Sequence, residues 1–85
     1  MRIKDGYLLR KVADSYVALS VGTENEGRVV RMNGTGAFIW ELLTKENSTE
    51  AIVDALVEKY GIDTATAQKA ANDFIEMLRK EDLLA

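Results

Sequence analysis

The stretch Arg28-Val29-Val30-Arg31-Met32-Asn33-Gly34-Thr35-Gly36-Ala37-Phe38-Ile39-Trp40 changes its hydrophobic period in the middle. Up to Met32 the side chains alternate, with Val30 and Met32 on one face and Val29 and Arg31 on the other, which predicts a strand over 28–32. Beyond Met32 the pattern is helical. Asn33 is a preferred N-cap, and Asn33-Gly34 suits a sharp exit from a strand. The spacing predicts a helix over Thr35 to Thr44, apolar almost all round through Ala37, Phe38, Ile39, Trp40, Leu42 and Leu43. A helix of that kind is buried on most of its circumference, so it belongs between a sheet and other helices.

Before this junction two more strands are expected. Tyr7 to Val12 reads as a strand with Leu8 and Val12 as apolar anchors around Arg10 and Lys11, followed by a turn at Ala13-Asp14-Ser15. Tyr16 to Val21 alternates over six residues, Val17, Leu19 and Val21 one way and Tyr16, Ala18 and Ser20 the other. Gly22 to Gly27 is a polar loop with Gly at both ends, the chemistry of a hairpin connection. Beyond the junction, Lys45-Glu46-Asn47 is a linker. Ser48 caps a second helix that runs to Tyr60 and stops at Gly61, with a core stripe of Ile52, Val53, Leu56 and Tyr60. Asp63 caps a third helix over Thr64 to Lys80, with a stripe of Ala67, Ala70, Ala71, Phe74, Ile75 and Leu78, and Leu83 and Leu84 fold back on the core. The order β-β-β-α-α-α, without internal repeat or interdomain linker, predicts one α+β domain over residues 1–85. A three-stranded antiparallel sheet followed by three helices, two of them joined by Gly61-Ile62-Asp63, is a winged-helix-like arrangement.

Composition narrows the chemistry. The 85 residues are 47% hydrophobic and 29% charged, too apolar for a disordered chain. They include no Cys, His or Pro. That removes disulfides, thiolate nucleophiles, Cys-based metal sites and imidazole acid–base groups, so an enzyme is not expected. The longest apolar run, Ala37-Phe38-Ile39-Trp40, is far short of a membrane span, and the charged start has no apolar signal core. The expected location is cytoplasmic. Residues 1–33 carry six Lys/Arg against four Asp/Glu, and residues 34–85 carry five against ten. The acidic helical half argues against a duplex-binding face, which needs clustered cations for phosphate contacts.

No other motif carries chemistry. Gly34-Thr35-Gly36 opens a helix, as phosphate loops do, but has neither the Lys of a P-loop nor dinucleotide spacing, and reads as a strand-to-helix turn. Glu46, Glu50 and Asp54 read as a solvated helix face rather than a cation site, and Trp40 as a core residue. No cofactor or metal is expected. The sheet itself is the better candidate, because the edge of a small meander can accept an extended peptide as an added strand. Such an edge equally admits a second copy of the chain, giving a homodimer. Val30→Pro is expected to remove one ladder donor from the third strand or to distort that strand.

The junction segment Met32-Asn33-Gly34-Thr35-Gly36-Ala37-Phe38-Ile39-Trp40-Glu41-Leu42-Leu43 resembles the "LN-x-TG-x-x-hW-x-LL" signature of the PqqD-like family, the precursor-peptide recognition elements and peptide chaperones of ribosomally made, modified peptides. Leu9-Arg10, Ser48 to Leu56, Tyr60-Gly61-Ile62-Asp63 and Phe74-Ile75-Glu76-Met77-Leu78 with Leu83-Leu84 are similar to further family motifs, so the resemblance spans nearly the whole chain. Asp82 stands where the family often has Gly, and Met32 where it usually has Leu. The resemblance implies a non-catalytic protein without a cofactor. It would bind the leader of a precursor peptide by strand addition and present it to a modifying enzyme, such as a radical S-adenosylmethionine enzyme of coenzyme PQQ or related peptide biosynthesis. The implied binding strand is Arg28, Val29, Val30, Arg31 and Met32, and the implied groove residues on the third helix are Lys69, Ala70, Asp73, Phe74 and Met77. The alternative is a winged-helix DNA-binding regulator, which shares the fold and predicts salt-steep duplex affinity.

Overall fold

The computed structural model describes residues 1–21 and 27–85. Three strands, β1 (Tyr7–Val12), β2 (Ser15–Ser20) and β3 (Val29–Met32), precede three helices, α1 (Gly34–Leu42), α2 (Thr49–Tyr60) and α3 (Thr64–Lys80). The sheet is antiparallel in the order β1-β2-β3. The chain is therefore α+β, with the element order and types that the period changes predict. Most of the expected loop, residues 22–26, lies outside the described residues. Where it rejoins the sheet, Gly27 and Arg28 both oppose Ser20: the Gly27 N–H reaches the Ser20 carbonyl at 3.5 Å, and the Ser20 N–H donates to the Arg28 carbonyl at 3.0 Å. Two residues facing one is a bulge.

The three helix starts follow their caps. Asn33, Ser48 and Asp63 each accept, through the side chain, from the backbone N–H three residues on, at 2.8, 3.1 and 2.7 Å. The hydrogen bonds to the Asp63 carboxylate from Thr66, side chain first and backbone second, hold its pKa below the ordinary carboxylate value. α2 ends at Gly61 in the left-handed region (φ 64°), which its missing Cβ permits. α1 begins one residue earlier than predicted and ends two earlier, closed by the Thr44 N–H donating to the Glu41 carbonyl.

One contiguous core joins all six elements. Trp40, Ile39, Leu43, Ile52, Leu56, Leu78 and Leu83 are its largest fully buried side chains. The sheet turns an unexpected face to it. Tyr7 and Leu9 of β1, Tyr16 and Ala18 of β2, and Val30 and Met32 of β3 pack on the helices, and the Tyr7 ring meets Trp40 edge-on at 5.6 Å. Leu8 and Val12, the expected anchors, are 45% and 55% exposed on the other face. The register is the reason: Leu9 pairs with Ala18 and Ala18 with Val30, so these three share the inner face. Both parities of β1 and β2 carry apolar residues, and alternation alone does not say which is buried.

Two more departures sit at element ends. Tyr60 is 41% exposed rather than in the α2 stripe. It lies in the last turn and meets the half-buried Phe38 ring edge-on at 5.8 Å, with its polar tip left to water. Ile3, not assigned to the core from sequence, is buried there: its N–H donates to the Leu43 carbonyl, and it bridges to Leu84. Leu83 and Leu84 do fold back, as expected. They reach the core through Asp82, a non-glycine residue at φ 56° just past α3. Glycine is the relaxed choice there, so Asp82→Gly is expected to raise unfolding stability by about 1 kcal/mol. The gain, read from urea melts, is reduced by whatever the exposed Lys4–Asp82 ion pair (3.0 Å) contributes.

Candidate functional site

β3 is an edge strand, paired on one side with β2. Its backbone polarity follows from two hydrogen bonds in β2. The Ser20 N–H donates toward β3, to the Arg28 carbonyl, and the Val21 N–H donates toward β1, to the Gly6 carbonyl at 2.7 Å. Successive residues of β2 therefore bond to opposite neighbours. Carried along the antiparallel register, this points the N–H and C=O of Val30 and Met32 at β2, and those of Val29 and Arg31 out of the open edge. Among the described residues, no strand pairs with that side.

Beside the edge runs a groove of 370 Å³ between the β3–α1 junction and α3. Met32, Gly36 and Ile39 form its floor, Ala70, Phe74 and Met77 its α3 wall, and Arg31, Asn33, Thr35 and Asp73 its polar rim. Helical spacing explains the wall. Ala67, Ala71, Ile75 and Leu78 form the buried ridge of α3, while Ala70, Phe74 and Met77 lie on the adjacent ridge, half-buried. Sequence reading placed Ala70 and Phe74 in the core stripe. The structure leaves them partly uncovered, because the open edge supplies no fourth strand to cover them.

Gly36 sets the depth of the groove. A Cβ there would stand 2.8 Å from Cε1 of Phe74 and 3.1 Å from Cβ of Met32. Gly36→Ala is expected to push the Phe74 ring into the groove and lower stability. Overpacking strain of about 1–3 kcal/mol outweighs the fraction of ~1 kcal/mol that Ala gains over Gly in a first helical turn. Urea melts and the Phe74 ring resonances read the two effects.

The charges around the groove are mostly paired. Lys69 and Asp73 meet at 2.9 Å along α3, and the hydrogen bond and charge of Asp73 raise the Lys69 pKa. Glu76 pairs with Arg79 at 3.3 Å, and Arg28 reaches across to Glu81 at 3.0 Å, closing one end. Arg31 has no ion pair or hydrogen bond from its side chain among the described residues.

Of the ten residues expected at the site, Arg31, Met32, Ala70, Asp73, Phe74 and Met77 line the groove together. Lys69 stands at its rim through Asp73, and Arg28 at its end through Glu81. Val29 lies on the outer sheet face and reaches the edge through its backbone, whereas Val30 lies inside the core with its backbone turned to β2 and does not reach the edge. Asn33, Thr35, Gly36 and Ile39 also line the groove and were read as cap, turn and core residues. Their proximity to α3 arises from packing and leaves no local signal.

The family model described as Coenzyme PQQ synthesis protein D (PqqD) matches residues 15–84. The chain belongs to the PqqD family. The matched span of this PqqD-family chain runs from β2 to the buried tail and so includes the whole groove and its edge strand. The chain is also similar to TbiB1, solved in complex with the TbiA(beta) leader peptide. The two share 31% identity over 99% of this chain and 94% of that one, with a TM-score of 0.76. No curated protein matches.

Proposed function

We propose that this chain is a peptide chaperone that takes the leader segment of a ribosomally synthesised precursor peptide as a fourth strand on the open edge of β3. The observation that carries this reading is the outward N–H and C=O pair of Val29 and of Arg31, set directly beside an apolar groove. The backbone groups give affinity for any extended chain, and the groove accepts alternate side chains and fixes register. The structure of TbiB1 in complex with a leader peptide supports a leader as the ligand. Arg28, Val29, Arg31, Met32, Lys69, Ala70, Asp73, Phe74 and Met77 form the binding surface, with Gly36 and Ile39 beneath it and Val30 supporting it from the core.

The chain performs no reaction itself. It holds the leader in the cytoplasm, where the precursor is made, and presents the rest of the peptide to a modifying enzyme such as a radical S-adenosylmethionine enzyme. A second copy pairing through β3 would compete with the peptide for the same backbone groups, so the loaded form is a monomer at this edge. Isothermal titration with the leader encoded beside the chain's own gene tests the proposal. Saturable binding of the leader, and none of its scrambled version or of random duplex DNA, is the expected result. Equal binding of the scrambled peptide, or tighter binding of duplex, overturns it.

A further inference from the structure

We infer that the peptide taken by β3 carries an acidic residue directly across from Arg31 and an apolar residue across from Val29. This rests on the strand-addition reading above and says which sequence that edge selects.

A strand added to β3 continues both faces of the sheet, with its side chains alternating in step with those of β3. On the outer face two cross-strand ranks already run toward the edge. One is Leu8, Leu19 and Val29, and the other is Arg10, Val17 and Arg31. The peptide supplies the next member of each. The first rank is apolar throughout, and an apolar residue extends it.

The second rank is different. Val17 is only 7% exposed although it lies on the outer face, because its register partners on both sides are arginines, whose long apolar stems cover a central valine. Neither Arg10 nor Arg31 has an ion pair or hydrogen bond from its side chain among the described residues. Arg31 is the one of the two on the edge beside the groove, and its rim position brings it to the incoming chain. Among the described residues, the acids that α3 and its C-terminal end bring to the groove are engaged elsewhere: Asp73 with Lys69, Glu76 with Arg79 and Glu81 with Arg28. An Asp or Glu in the peptide therefore meets an unopposed cation across the ladder, and a Lys or Arg meets repulsion.

The two outward positions are two residues apart in the peptide. The residue between them points to the inner face and enters the groove against Phe74 and Met77, so it too is apolar. The selected core is a triplet of apolar, apolar and acidic residues, read in one direction or the other according to strand polarity.

The probe is a phage-displayed library of random 16-residue peptides, selected separately on the natural chain and on Arg31→Glu, with Arg31→Gln as a neutral variant. The natural chain is expected to enrich the triplet. Exchanging its acid for Lys in a synthetic copy is expected to weaken binding on the order of tenfold. Arg31→Glu reverses the preference and Arg31→Gln abolishes it. Amide shifts at Val29 and Arg31 locate the bound peptides. Peptides that shift those amides with no charge preference, or with one unchanged in Arg31→Glu, overturn this inference and leave strand addition standing. Failure to enrich any peptide, or binding without those shifts, overturns both.

Discussion

Trp40→Ala is expected to lower the unfolding free energy by about 3–5 kcal/mol. Trp40 is among the largest fully buried side chains, and it links layers: it belongs to α1, stacks edge-on with Tyr7 of β1, and sits in the same cluster as Leu43, Leu56 and Leu83. A chain of 85 residues has roughly 4–13 kcal/mol of stability in total. The loss is therefore a large fraction of the whole, because the cavity opens where sheet and helices meet and neither layer can collapse into it alone. Urea denaturation followed by far-ultraviolet circular dichroism reads the effect, the tryptophan signal having been removed. A midpoint within experimental error of the natural chain would mean that Trp40 does not join the layers.

Arg31→Pro is expected to weaken leader binding at least about tenfold while leaving the fold intact. Replacing an outward N–H removes one ladder donor and leaves a peptide carbonyl unpaired, a loss of about 1–3 kcal/mol. The ring also obstructs the edge. The Arg31 N–H points away from β2, so no bond of the sheet is lost, and edge strands tolerate proline there. Val30→Pro, the choice suggested by sequence alone, is the wrong variant, because the Val30 N–H points into the sheet and its loss damages β3 itself. Arg31→Gln separates the side chain from the backbone: it keeps the N–H, and with it most of the affinity. Titration calorimetry on the three proteins, with melting curves as the control for folding, makes the comparison. Full affinity in a folded Arg31→Pro chain would place the peptide elsewhere.

Much of this was legible in the residues, for identifiable reasons. The change from period two to helical spacing at Met32-Asn33 marks the strand-to-helix junction, and Asn33, Ser48 and Asp63 mark the helix starts because their short side chains bond the backbone three residues on. Which face of the sheet is buried was not legible. Leu8 and Val12 are as apolar as Leu9, and only the placement of Ala18 under the helices decides between them. Four of the ten groove residues were hidden for a similar reason. Gly36 and Ile39 read as a turn and a core position, and they meet Phe74 only when α3 crosses α1. The tie between Ile3 and Leu84 joins residues at opposite ends of the sequence, where no periodicity reaches.

The most direct measurement of strand addition is amide-resolved nuclear magnetic resonance of the labelled chain, titrated with its leader peptide, with hydrogen exchange recorded in the free and bound forms. The account predicts shifts along 29–32 and along the α3 wall from Ala70 to Met77. It also predicts that the Val29 and Arg31 amides, open in the free chain, become protected on binding, while Val30 and Met32 are protected in both forms. A bound leader that left the Val29 and Arg31 amides exchanging as freely as before would contradict it.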